Sequence, residues 1–231
     1  MTEGGGRWHS IVDGETNAFV YVSIPERKPC RRGLETPYSM LEPALRRFGA
    51  ALPPHLARAN MHLDPDFRHL TYGDARRKAG QIRRRLAPGD VAVFYAALRD
   101  VRAASPLVYA IIGVLEVEEV VPPTAIPARR REINAHSRQL DPNPDDAVII
   151  GRAGRSGRLR TCIRIGEYRD RSYRVRRDLL DAWGGLSVRD GYLQRSGQIP
   201  SMLEPRRFLD WFEAQSPVLV RANNPSPWRS S

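Results

Sequence analysis

Cysteine is scarce: Cys30 and Cys162 are the only two in 231 residues, and neither belongs to a CxxC pair. This excludes a disulfide framework and a cysteine-built zinc site, leaving buried thiols as the plain reading. No apolar run approaches the roughly 20 residues that a bilayer span requires. Even Leu107 to Val121 is interrupted by Glu116, Glu118 and Glu119. Met1 to Asp13 has no charged start, apolar centre or small-residue cleavage site, so the expectation is a cytoplasmic protein without membrane contact. Several enzyme signatures are also missing: the Gly-Lys-Ser/Thr ending of an ATP-binding loop, a GxGxxG fingerprint, a nucleophile elbow, and the HxE with PCxxC pattern of zinc deaminases. Lysine is almost absent, with Lys28 and Lys78 alone against 37 basic residues in total.

Arginine fills that gap. The formal net charge is +11 and the sequence pI near 10.4, which points to a polyanionic partner, DNA or RNA. The planar fork of arginine suits phosphate, guanine edges and base faces. A compositional or thermal bias of the source would also enrich arginine, but the charge is uneven. Between Arg129 and Arg177 there are fourteen arginines against six acidic residues. A phosphate-tracking surface of this kind would carry Arg129, Arg130, Arg131, Arg152, Arg155, Arg158 and Arg160. With 41% hydrophobic and 27% charged residues, the chain has the composition of a globular protein with a substantial core.

Periodicity predicts the elements. Ala18 to Ile24 (AFVYVSI) reads as a strand, stopped by Pro25 and followed by a basic loop to Pro37. Met40 to Phe48 has helical spacing. Asp74 to Leu86 is an amphipathic helix with Asp74 as N-cap and Ala75, Ala79, Ile82 and Leu86 on one stripe. Val91 to Leu98 and Leu107 to Val121 are strands, with Gly113 marking a bulge or a close backbone approach. Val148 to Gly151 and Thr161 to Ile165 are short strands joined by the basic turn RAGRSGR, a candidate phosphate-gripping hairpin. A helix at Asp178 to Trp183 stops at Gly184-Gly185, and Ser201-x-x-Glu204 with Pro205 reads as a capping box opening a helix through Gln215. The expected organisation is one compact unit over residues 1–216, with two subdomains meeting near 122–140 as an alternative, and an irregular tail over 217–231.

The densest polar cluster is His62-Leu63-Asp64-Pro65-Asp66, an imidazole and two carboxylates within five residues, the ingredients of a metal or acid/base site. Asp-Pro-Asp is also ordinary turn chemistry. Glu26, at the end of the first strand, is either a general base, a ribose ligand or an arginine partner. Arg99, after the VAVFYAAL strand, could grip phosphate or be a plain surface residue. His136, beyond the basic run at Arg129, is either structural or part of a base or phosphate site. The expected catalytic set is thus Glu26, His62, Asp64 and Asp66, with Tyr95, Arg99 and His136 joining the arginines in nucleic-acid binding. No metal ligand set and no cofactor are assigned, and the oligomeric state is left open.

Pro88-Gly89-Asp90 followed by VAVFY, with a partner strand YAIIGVLEV, resembles the small PUA-like barrels of the EVE and ASCH kind, which hold a base in a pocket between strands. The order of segments resembles the nucleotide modification associated domain family, third type. The residues that carry the likeness are AFVYVSIPE at Ala18 to Glu26, MHLDPDF at Met61 to Phe67, PGDVAVFYAALR at Pro88 to Arg99, and YAIIGVLEV at Tyr109 to Val117. Weaker echoes follow at Asn134 to Leu140, in the strand before GRAGRSGR, and at Trp183 to Gln198. Tyr95 to Leu98 departs from the family's tendency toward a Gly-Trp-Phe run. The resemblance implies a role in DNA or RNA base modification. The fold expected is α+β, with a mixed or barrel-like sheet flanked by helices, and the function either a base-modifying catalyst or a non-catalytic reader of modified bases.

Overall fold

In the computed structural model, which describes residues 9–103, 106–194 and 197–225, the chain is organised around one long strand. Short pieces come first: β1 (Ser10–Val12), β2 (Phe19–Val20), β3 (Ile24–Pro25), α1 (Glu42–Arg46), β4 (Met61–His62), β5 (Thr71–Asp74) and α2 (Arg76–Arg85). The two principal strands follow, β6 (Val91–Asp100) and β7 (Val108–Val121), then α3 (Ala135–Arg138), β8 (Ala147–Gly151) and β9 (Gly157–Arg164). The hairpin β10 (Gly166–Arg169) and β11 (Ser172–Val175), α4 (Arg177–Trp183), α5 (Pro205–Ala214) and β12 (Leu219–Val220) complete it.

The main sheet is a curled, mixed half-barrel, so the protein has an α+β fold. Its strand path is β12-β9-β7-β6-β1-β2, with β8 on β7 and β5 outside β8. Among the described residues only β1 and β6 pair in parallel. β6 lines one edge of β7, while β9 and β8 share the other, at Ala110–Val114 and Val117–Val121 respectively. The turn between β8 and β9 therefore does not close a hairpin; it carries the chain along one edge of β7. Gly113 is the reason the sheet bends where it does. A Cβ there would lie 2.4 Å from Phe67 Cε1 and 2.6 Å from the Gly157 carbonyl oxygen, and the β7–β9 register shifts between Ile111 and Gly113. The expected close approach is thus present.

The largest apolar cluster joins Phe19, Phe67, Leu98, Ile111, Ile112, Leu159, Trp183 and Phe208 between the sheet and the α4–α5 pair. Each such side chain contributes about 1.5–3 kcal/mol by leaving water. A second cluster seats α1 on Ile11 and Val20, and a third seats α2 on Leu115 and Ile149 through Ala79 and Ile82. No helix among the described residues is long and apolar enough to cross a membrane.

Four local expectations are corrected. The Ala18 to Ile24 strand divides into β2 and β3, because Ile24 leaves the main sheet to pair with His62. Asp74 does not cap α2: it ends β5, accepts from the Tyr72 hydroxyl at 2.6 Å, and Ala75 takes the cap position. The capping box at Ser201 does not form. Glu204 is the N-cap of α5, and the Ser201 amide donates to Ser187 Oγ instead. Within the tail expected to be irregular there is one short strand: Leu219 and Val220 add β12 to β9, and Asn223 and Asn224 reach back into the body. Residues 226–231 lie outside the described residues.

Candidate functional site

Pairing of β3 with β4 sets Ile24 opposite His62 and leaves Glu26 one residue beyond the ladder. Glu26 Oε2 then lies 2.6 Å from His62 Nδ1, while its Oε1 accepts from the amides of Arg27 and Lys28 at 2.8 and 2.9 Å. Asp64 follows on the same segment, joined to Pro65 by a cis peptide bond. Its Oδ1 accepts from the Gly73 amide at 2.8 Å and from Asn134 Nδ2 at 3.1 Å. Its Oδ2 is buried and has no hydrogen-bond partner among the described residues.

A second imidazole arrives from a distant part of the chain. Asn134 caps α3 by accepting from the His136 amide at 2.9 Å, which fixes His136 in the first turn. Asp146, at the entry to β8, places Oδ2 2.7 Å from His136 Nδ1. Both histidines thus turn Nδ1 to a carboxylate. An acceptor at Nδ1 keeps the proton there and leaves Nε2 with its lone pair free. The two Nε2 atoms converge on Asp64 Oδ2, at 3.8 Å from His62 and 3.6 Å from His136. The rings meet edge to face with centroids 4.9 Å apart. Gly73 makes the space: a Cβ there would come within 2.4 Å of His136 Cδ2 and 3.0 Å of Asp64 Oδ2.

Burial and neighbours push the titrating groups apart. Burial raises the Asp64 carboxyl to about 8, against the opposing pull of His62 and the Gly73 amide. Burial acts on Glu26 in the same direction, but the hydrogen bonds from His62 and from the Lys28 and Arg27 amides outweigh it and hold that carboxyl low. His62 is depressed by burial, yet Glu26 and Asp64 bring it above its ordinary value. His136 ends below its ordinary value, because burial and the neighbouring His62 outweigh Asp146. His62, with 16% of its side chain exposed, is the most accessible of the group; Asp64, His136 and Asp146 show 4%, 6% and 1%. Two imidazoles and a carboxylate with an open oxygen form a donor set for a metal and the parts of an acid/base relay.

Asp66 stands apart from this convergence. Its Oδ1 accepts from the Arg68 and His69 amides and from Asn223 Nδ2, and its Oδ2 is bound by His69 Nδ1 and Arg138. With both oxygens occupied it anchors the loop, outside the convergence of His62, His136 and Asp64. His136, expected on a nucleic-acid surface, is buried within the cluster. Asp146 is the member that sequence reasoning misses. The only local trace of it is an acid directly before the apolar Ala147 to Ile150, where an unpartnered charge would be costly.

The arginines do not behave alike. Arg158 is 2% exposed, its guanidinium lying 3.9 Å from the Phe19 ring centroid and donating to the Phe19 carbonyl, so it is a core residue and not a phosphate ligand. Arg152 and Arg155 are exposed but reach Glu116 at 3.1 and 3.2 Å. Arg138 is buried on Asp66, and Arg169 and Arg174 both pair with Asp190. Arg99 and Arg160 are exposed on β6 and β9, and Tyr95 is 37% exposed with its hydroxyl donating to the Leu193 carbonyl at 2.9 Å. Arg129 and Arg130 are exposed, and Arg131 half-buried, on the 3₁₀ turn that leads directly to Asn134 and His136. Arg27 and Lys28, also exposed, follow Glu26. Basic side chains thus flank two of the segments that build the cluster.

No curated protein and no solved structure matches the chain. The model of nucleotide modification associated domain 3 matches residues 2–197, a span that contains Glu26, His62, Asp64, His136 and Asp146. The chain therefore belongs to the nucleotide modification associated domain 3 family.

Proposed function

We propose that the protein is a catalyst of nucleotide or base modification in DNA or RNA, with Glu26, His62, Asp64, His136 and Asp146 as its reactive centre. The observation that carries this reading is the convergence of two carboxylate-backed imidazoles on one buried, unpartnered carboxylate oxygen. A pocket that only reads a base needs aromatic faces and backbone groups. It has no use for several acids and imidazoles gathered out of water, which cost free energy unless they do chemistry. Exposed Ile24 lies opposite His62 on the β3–β4 ladder and offers an apolar face beside the most accessible imidazole. Arg27, Lys28, Arg129 and Arg130 supply positive charge along the flanking segments for a polyanionic substrate.

The test is mass spectrometry of nucleosides from DNA and RNA of cells with the gene, without it, and with Asp64→Ala. The expected result is a nucleoside that depends on the wild-type gene and falls at least about 100-fold in the variant, the usual scale for losing an acid/base group. Identical profiles in all three would leave a reader as the better description. For the substrate, the double replacement Arg129→Ala/Arg130→Ala should lower the slope of log affinity against log salt by about one for each phosphate no longer neutralised. An unchanged slope would remove that segment from the interface.

A further inference from the structure

We propose that His62 Nε2, His136 Nε2 and Asp64 Oδ2 bind a single divalent first-row transition-metal ion. Among the described residues these are the three groups whose donor atoms gather closely enough, all within 4.8 Å of one another. Metal–nitrogen and metal–oxygen bonds of about 2.0–2.2 Å place tetrahedral donors roughly 3.4 Å apart. The observed 3.6 and 3.8 Å from Asp64 Oδ2 to the two nitrogens would need to close by only a few tenths of an ångström.

Three independent features point to a cation. Among the described residues Asp64 Oδ2 is buried and has no hydrogen-bond partner, although Oδ1 of the same carboxylate has two donors, so the open oxygen is the one that faces the imidazoles. Both histidines are oriented by carboxylates at Nδ1, the arrangement that turns Nε2 outward and raises its basicity as a ligand. Glu26, Asp64 and Asp146 gather three carboxyl groups in one buried place, where a divalent ion would offset the charge of those that ionise. Two nitrogens, one oxygen and no sulfur disfavour calcium and magnesium, which prefer oxygen cages, and the thiophilic copper(I). Three protein ligands leave coordination positions open, as in sites that act on a substrate and not in purely structural ones. The metal's use in chemistry rests on the catalytic reading above; its binding does not.

The experiment takes the purified full chain, stripped with a chelator and titrated with cobalt(II) while visible absorption and heat are recorded. One equivalent should bind with the ligand-field bands of a nitrogen–oxygen site. His62→Ala and His136→Ala should each weaken binding at least about 100-fold. Asp146→Asn keeps the ligands and should weaken binding about 10–100-fold while shifting the bands, because it acts through His136. Circular dichroism establishes whether each variant is folded. Should the alanine variants fail to fold, wild-type selectivity decides: cobalt(II) bound far more tightly than magnesium supports the site, and equal affinity overturns it. No saturable binding to wild type, or full binding by a folded His62→Ala/His136→Ala chain, also overturns it. A metal-binding protein with unchanged cellular nucleosides would instead defeat the proposed function and leave the metal site standing.

Discussion

Replacing Arg138 by methionine is expected to cost about 3–5 kcal/mol, because it takes the guanidinium counter-charge away from the buried carboxylate of Asp66 and leaves it only His69, Asn223 and two amides. The guanidinium and carboxylate are 7% and 1% exposed, and Arg138 also donates through Nε to the Glu132 carbonyl at 2.7 Å and toward Thr36 Oγ1 at 3.3 Å. The pair ties α3, which carries His136, to the loop that carries Asp64, so its loss should loosen both halves of the site together. Adding Asp66→Asn should recover part of the stability, since the amide oxygen can still accept from the Arg68 and His69 amides. Chemical denaturation measures both effects. A loss below about 1 kcal/mol for the single variant would mean that His69 and Asn223 suffice to hold the Asp66 carboxylate or that water enters.

Phe67→Ala should be comparably severe, at about 3–5 kcal/mol and a fall of about 6–20 °C in melting temperature for a chain of this size. Phe67 is fully buried, with its ring edge-on to Tyr21 and Phe94 at centroid distances of 6.2 and 5.8 Å and its edge seated in the space left by Gly113. It is the plug that fixes the Asp64 to Asp66 segment onto the sheet. Amide exchange at Gly73, whose N–H donates to Asp64, should accelerate in the variant. Phe67→Leu, which refills most of the volume, should show a smaller loss and slower exchange. Equal effects from both would show that ring shape, not filling, holds the segment.

Elements with a local cause are readable from sequence. β6 and β7 announce themselves through β-branched content and the Gly89 turn, and α4 through the left-handed Gly184 that ends it. The family likeness is carried by the segments around Glu26, His62 and Arg99, and the first two do meet. The rest of the centre is hidden because it is assembled by long-range pairing. β5 lies against β8, and this brings Asp146 and α3 beside Asp64, from positions about 70–80 residues away in sequence. Nothing within a short window distinguishes His136 from a structural histidine, although Asn134 two residues earlier is a capping signal. Arginine clusters mislead for a related reason: charge is visible in sequence, but whether a guanidinium faces solvent, as Arg129 does, or stacks inside on Phe19, as Arg158 does, depends on the packing of remote strands.

The stretch after α5 acts as a clasp. Asn223 holds the Phe67 amide at 2.6 Å and Asp66 at 2.9 Å, and Asn224 closes a two-way bond with the backbone of Tyr21. Both lie past residue 197, where the family match ends. A polypeptide shortened to that boundary would lose the aromatic cover over Trp183 along with both asparagines, and would leave the loop bearing Asp64 held by Gly73, Asn134 and Arg138 without the bonds from Asn223. Boundaries drawn from family likeness alone would thus cut away part of what keeps Asp64 and its neighbours in register.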